Sequence, residues 1–150
     1  MNALMRIAVA TGLLGMFASG AIAEDLINAR PGGLAVKGYD VVAYFTEERA
    51  IEGSEDYEHE WRGVRWRFST PEHLAVFEGS PESYAPRYGG FCSGGMALGN
   101  RAPIDPEAFA VIDGKLYLNF SKAVASDFVA SSDDKIEQAN ANWETMNAQK

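Results

Sequence analysis

The chain has 150 residues, 47% hydrophobic and 23% charged, with 13 Lys and Arg against 21 Asp and Glu and a formal net charge of −8. This is the composition of a globular protein, and it excludes a disordered or collagen-like chain and a strongly basic nucleic-acid surface. One cysteine and two histidines exclude an intramolecular disulfide, a zinc ribbon, a Cys-x-x-Cys redox pair and a His-rich metal cage.

Residues 1–23 read as a signal peptide. Arg6 supplies a short basic region, an apolar run follows from Ile7 to Phe17, and small residues lead to Ala21-Ile22-Ala23. Cleavage after Ala23 is expected, because small side chains around that bond are what the peptidase accepts. The apolar run is roughly half the ~20 residues of a spanning helix. The expected product is a periplasmic or secreted chain, 24–150, with no membrane segment after cleavage and no nucleic-acid partner. It is read as one domain, with no evident internal repeat.

The remaining elements are expected in this order. Asp40 caps a short helix carrying Val41, Tyr44 and Phe45 inward, with a strand as the competing reading. An acidic loop covers 47–58. Tyr57–Trp61 and Val64–Phe68 form a hairpin around Arg62-Gly63. Val64, Trp66 and Phe68 lie on one face and Arg65 and Arg67 on the other. Ser69-Thr70-Pro71 opens a helix with Leu74 and Phe77 inward, ending at Gly79. Pro81–Tyr84 starts another short helix, and a glycine-dense stretch runs from Tyr88 to Met96. A second hairpin pairs 109–112 with 116–120 around Asp113-Gly114. Helices follow from Ser121 to about Val129 and from about Lys135 to Met146. The last presents Ile136, Ala139, Trp143 and Met146. Two β-hairpins among about five short helices make a small α+β domain.

Five segments in order resemble the YHS domain family. They are Lys37-Gly38-Tyr39-Asp40-Val41-Val42-Ala43-Tyr44-Phe45, then Gly63-x-x-Trp66-x-Phe68, then Phe77-x-x-x-Pro81-x-x-Tyr84-Ala85-Pro86, then Tyr88-Gly89-Gly90-Phe91-Cys92, and finally 113–119, Asp-Gly-Lys-Leu-Tyr-Leu-Asn. The resemblance spans about 34–143 and is closest to the exported, stand-alone bacterial branch. It implies an association with metals. The cysteines of the family's short members fall here on Lys37, Ser69 and His73, so the thiolate set of a tetrahedral site is missing.

The residues that could still carry chemistry are few. Cys92 sits among glycines, and Met96 follows four residues on, which places both on one face of a helix begun near Ser93. Cys and Met are soft ligands that favour Cu(I), and His73 or His59 could complete a site. The leading expectation is therefore a soft-metal module, copper first, with Cys92, Met96 and His73 as ligands. The competing expectation is a metal-free structural or protein-interaction module with a periplasmic partner. In it Cys92 is a small buried residue and an aromatic patch lies around Tyr84–Phe91. A Cys-dependent enzyme, using Cys92, His73 and an acid such as Asp40, ranks third. The aromatics Trp61, Trp66, Phe68, Tyr84, Tyr88, Phe91 and Tyr117 are read first as core and second as a pocket lining. The arginines at 62, 65 and 67, with Arg87 and Arg101 elsewhere, are read first as a solvated face paired to the surplus acids and second as a local basic patch.

Overall fold

A computed structural model describes residues 26–149. The expected signal peptide at 1–23 and its expected cleavage point lie outside the described residues. The fold is α+β, with two antiparallel hairpins and six α-helices. In chain order these are α1 (Ala43–Thr46), β1 (Ser54–Trp61), β2 (Val64–Phe68), α2 (Pro71–Gly79), α3 (Pro81–Tyr84), α4 (Ser93–Ala97), β3 (Asp105–Ile112), β4 (Lys115–Asn119), α5 (Lys122–Ala130) and α6 (Ser132–Ala148).

Most local expectations are met for the reasons the sequence offers. Asp40 Oδ1 accepts the Val42 and Ala43 N–H groups at 2.9 and 3.2 Å. This satisfies donors that open α1, so the segment is helix and not strand. Thr70 caps α2 by accepting from His73 N, and Ser121 caps α5 by accepting from Val124 N. Both hairpin turns take positive φ at both central residues, Arg62 and Gly63 in the first, Asp113 and Gly114 in the second. That geometry matches the twist of the flanking strands. Boundaries differ in three places. β1 begins at Ser54, inside the stretch read as an acidic loop, β3 begins at Asp105, and α6 begins at Ser132. In the first case Glu58 belongs to the strand because its carboxylate bridges Arg65 and Arg67 of β2 at 3.2 and 2.9 Å.

The absence of an internal repeat is overturned. Two successive units follow one plan. Each opens with a left-handed turn, at Val36, Lys37 and Gly38 (φ 49°, 52° and 85°) and again at Tyr88, Gly89 and Gly90 (φ 56°, 62° and 81°). An extended residue follows, Tyr39 or Phe91, then a side-chain cap, Asp40 or Cys92, then a short helix, α1 or α4. Each hairpin pairs an eight-residue strand with a five-residue one. Each carries its irregularity at the same point, Ser54/Glu58 opposite Phe68/Arg67 and Asp105/Phe109 opposite Asn119/Leu118. A capped nine-residue helix closes each hairpin, α2 with Phe77 or α5 with Phe128, both at 0% exposure. A further helix follows, α3 or α6. The two units share very few residue identities, among them Gly38/Gly90, Gly63/Gly114, Phe77/Phe128 and Ser80/Ser131. That is why the period is invisible in the sequence.

The core has two parts. The larger gathers Val41, Val42, Tyr44, Trp66, Phe68 and Phe77 from the first unit with Leu116 and Leu118 of β4. The smaller lies under α6, where Ala139, Ile136, Trp143 and Met146 meet Tyr88, Met96, Tyr117 and Phe128. Among the described residues, no helix is long and apolar enough to cross a membrane.

Candidate functional site

The two capping positions are seats for one acceptor each. In the first unit the seat holds Asp40, fully buried. Its Oδ2 accepts from Ser69 N at 2.8 Å, from Ser69 Oγ at 2.6 Å and from His73 Nδ1 at 2.6 Å. With the two contacts on Oδ1, five donors converge on one carboxylate and leave it no lone pair facing solvent. His73 Nε2 lies 3.2 Å from Thr46 Oγ1. His73 is thus held between Asp40 and Thr46, and Cys92 is not its partner. The network ties the turn before α1, the end of β2 and the start of α2 together.

In the second unit the seat holds Cys92, 2% exposed. Its Sγ accepts from Gly95 N at 3.3 Å and from Phe120 N at 3.2 Å. Phe120 stands where Ser69 stands in the first unit, and Val124 where His73 stands. Asn119 is fully buried beside the sulfur. Its Oδ1 accepts from Gly94 N at 3.0 Å and lies 3.9 Å from Sγ. Gly94 is required here, since a Cβ would stand 2.6 Å from Val124 Cγ1.

The three residues expected to hold a metal are thus separately engaged. Cys92 belongs to the larger core and Met96, at 0% exposure, to the smaller one. Both ring nitrogens of His73 have side-chain partners. His59 lies 3.5 Å from Glu78 and packs on Phe77. Among the described residues, no three His, Cys, Asp or Glu side chains come together as a metal-holding group.

An open feature lies elsewhere. A cleft of about 310 Å³ runs between the first hairpin and α6. All three tryptophans of the chain, Trp61, Trp66 and Trp143, line it. The Trp61 and Trp66 rings meet edge-on with centroids 5.6 Å apart. Trp66 Nε1 is spent on Trp61 O at 3.0 Å, so this wall offers the cleft apolar ring surface. The floor is fixed by Gly89, where a Cβ would stand 1.9 Å from Leu26 O. Asn28 clamps the same strip, its N–H to Gly89 O at 2.8 Å and its Nδ2 to Gly90 O at 3.1 Å.

Arginines frame the rim. Arg62 stacks on Trp61 with its guanidinium 4.3 Å from the ring centre and pairs with Glu82 at 3.1 Å. Arg87 lies 5.9 Å over the Tyr88 ring and has no carboxylate partner among the described residues. Burial pushes the Tyr88 phenol above its ordinary range, Tyr117 adds to the rise, and the Arg87 charge opposes it. Trp61, Trp66 and Tyr88 were legible as pocket candidates from their aromatic density. Trp143 was legible only as an inward residue of the last helix and Arg87 only as one of several scattered arginines, because the cleft joins segments far apart in the chain.

A scan of protein-family models finds no match to this chain, and searches of curated proteins and of solved structures find none either.

Proposed function

We propose that this protein is a small exported, YHS-like binding module that works without a metal and takes its ligand in the tryptophan-lined cleft. The observation that carries the reading is the convergence of all three tryptophans on one concave surface. Its volume, about 310 Å³, falls at the lower end of small-molecule sites. Export rests on the leader pattern at 1–23, and the family likeness on the five segments between 34 and 143. The rival is soft-metal binding at Cys92, with Met96 and His73. It is disfavoured because each of those side chains already has partners elsewhere in the fold.

The test uses the purified protein labelled with 5-fluorotryptophan, giving three ¹⁹F resonances. A small-fragment library is screened by their shifts. In parallel, Cu(I) is titrated anaerobically into wild type and Cys92→Ala. The expected result is a set of fragments that move the fluorine resonances, with no stoichiometric copper uptake. Stoichiometric Cu(I) binding that a folded Cys92→Ala loses would overturn the metal-free reading. A library that leaves all three resonances unmoved would overturn the cleft.

A further inference from the structure

The internal repeat covers its two aromatic faces by helices of different length, and the rim of the cleft indicates what enters it. In the second unit the aromatic face made by Tyr117 and Phe128 is roofed by α6, seventeen residues long. The equivalent face of the first unit is made by Trp66 and Phe77, with ring centroids 5.1 Å apart. The helix that should roof it, α3, has four residues. It sits on α1, Phe45 against Tyr84 at 5.4 Å, as α6 sits on α4 through Asn142 and the carbonyls of Met96 and Ala97. The chain then leaves the helix through Ala85-Pro86, and proline cannot continue it. Trp66 and Phe77 are nonetheless buried, at 3% and 0% exposure, and of the two Trp66 reaches the cleft wall.

The rim holds a guanidinium to spare, against the trend of the whole molecule. The chain has eight more acidic than basic residues. Its other hairpin arginines are paired, Arg65 and Arg67 to Glu58. Among the described residues that line the cleft, Arg62 pairs with Glu82. Arg87 stands without an acidic partner among the described residues. A guanidinium in that position is a planar donor for a carboxylate, and the tryptophan walls offer ring faces.

On the reading of the cleft as the ligand site, we infer that it takes a small planar aromatic carboxylate, its rings against Trp61, Trp66 and Trp143 and its carboxylate on Arg87. The volume admits one or two fused rings and excludes a helix, so the ligand is a small molecule and not a replacement for the missing turns. A cation of the same shape meets the Arg87 guanidinium and is rejected. A neutral analogue keeps the stacking and loses the ion pair.

Three probes of matched shape test this by calorimetry: 2-naphthoate, 2-naphthylmethanol and 2-naphthylmethylamine. Each is titrated into wild type, Arg87→Gln and Glu82→Gln. Naphthoate is expected to bind about tenfold more tightly than the alcohol, equivalent to about 1.4 kcal/mol, with the amine weakest. Arg87→Gln, an exposed site, is expected to lose that tenfold for naphthoate alone. Glu82→Gln removes a negative charge from the rim and is expected to tighten naphthoate. Equal binding of acid and alcohol, or an Arg87→Gln that binds naphthoate as wild type does, would overturn the ligand class and leave the cleft standing. If no probe binds any of the three proteins, and the fluorine screen is also blank, the cleft reading itself falls.

Discussion

The first and second units share a plan and fill it with opposite chemistry. In the acceptor seat, the first unit sets a carboxylate under five donors and the second a sulfur under two backbone N–H groups. In the hairpin, β2 alternates buried Val64, Trp66 and Phe68 with the arginines at 65 and 67, while β4 buries every residue from Leu116 to Asn119. In the covering helix, four residues stand against seventeen. Strand β4 is therefore buried from Leu116 to Asn119, while β2 keeps one face toward solvent. A backbone plan can be held constant while burial sets the chemistry of each copy of the hairpin.

The sharpest way to break this comparison is to empty both seats. Asp40→Ala orphans five donors, three of them backbone N–H groups, and should cost about 3–5 kcal/mol, the scale of breaking a buried charged network. Cys92→Ala removes one small soft side chain and should cost about 1–2 kcal/mol. Urea unfolding of the two variants gives the difference directly. Equal losses would mean that the seats are not equivalent positions with different occupants.

The paired helices should respond alike. Phe77→Ala and Phe128→Ala each remove a fully buried ring at the same place in the plan, so each should lose about 3–4 kcal/mol. A silent Phe128→Ala in thermal or urea melts would contradict the match of α5 with α2.

A smaller effect sharpens how the units join. Tyr44 of the first unit donates its hydroxyl proton to Pro106 O of the second at 2.8 Å, and its ring packs on Phe109 at 4.7 Å. Burial, then the neighbouring Tyr39, Asp105, Asp40 and Glu107, hold this phenol well above its ordinary range. The folded state keeps a proton that the unfolded tyrosine releases near pH 10. The unfolded chain thus binds fewer protons there, so this contribution is complete below about pH 10 and falls as pH rises beyond it. Tyr44→Phe should cost about 1–2 kcal/mol at neutral pH, because Pro106 O loses its donor. It should also flatten the alkaline decline of stability, read from melts between pH 8 and 11. An unchanged alkaline limb would remove Tyr44 from its cause.

The smallest expected effect lies on the exposed face of the first hairpin. Arg65→Gln breaks a partly exposed pair with Glu58 and should change stability by about 0.5 kcal/mol, reduced further at high salt. The equivalent position, Leu116, is fully buried, and Leu116→Gln in the same assay should be several-fold worse.

Local chemistry made much of this legible in the sequence. The turn pairs Arg62-Gly63 and Asp113-Gly114, the caps Asp40, Thr70 and Ser121, and the apolar spacing of Ile136, Ala139, Trp143 and Met146 each act within a few residues of themselves. What stayed hidden depends on distant segments meeting. The repeat shows in backbone dihedrals and strand register, and its matched positions share little side-chain chemistry. The cleft needs Trp143 to come back against Trp61, and its floor needs Leu26 to cross Gly89. The expected Cys92–Met96 face fails to form one site because α4 has five residues and lies between two cores, so its side chains divide between them.

The most direct test of an open, anion-receptive aromatic cleft is quenching of the intrinsic tryptophan emission by iodide and by caesium. Because all three tryptophans line the cleft, the emission reports on it alone. In a protein of net charge −8 the global field favours the cation. The account predicts the reverse, with iodide quenching more strongly than caesium and the excess lost in Arg87→Gln. Stronger quenching by caesium would contradict it.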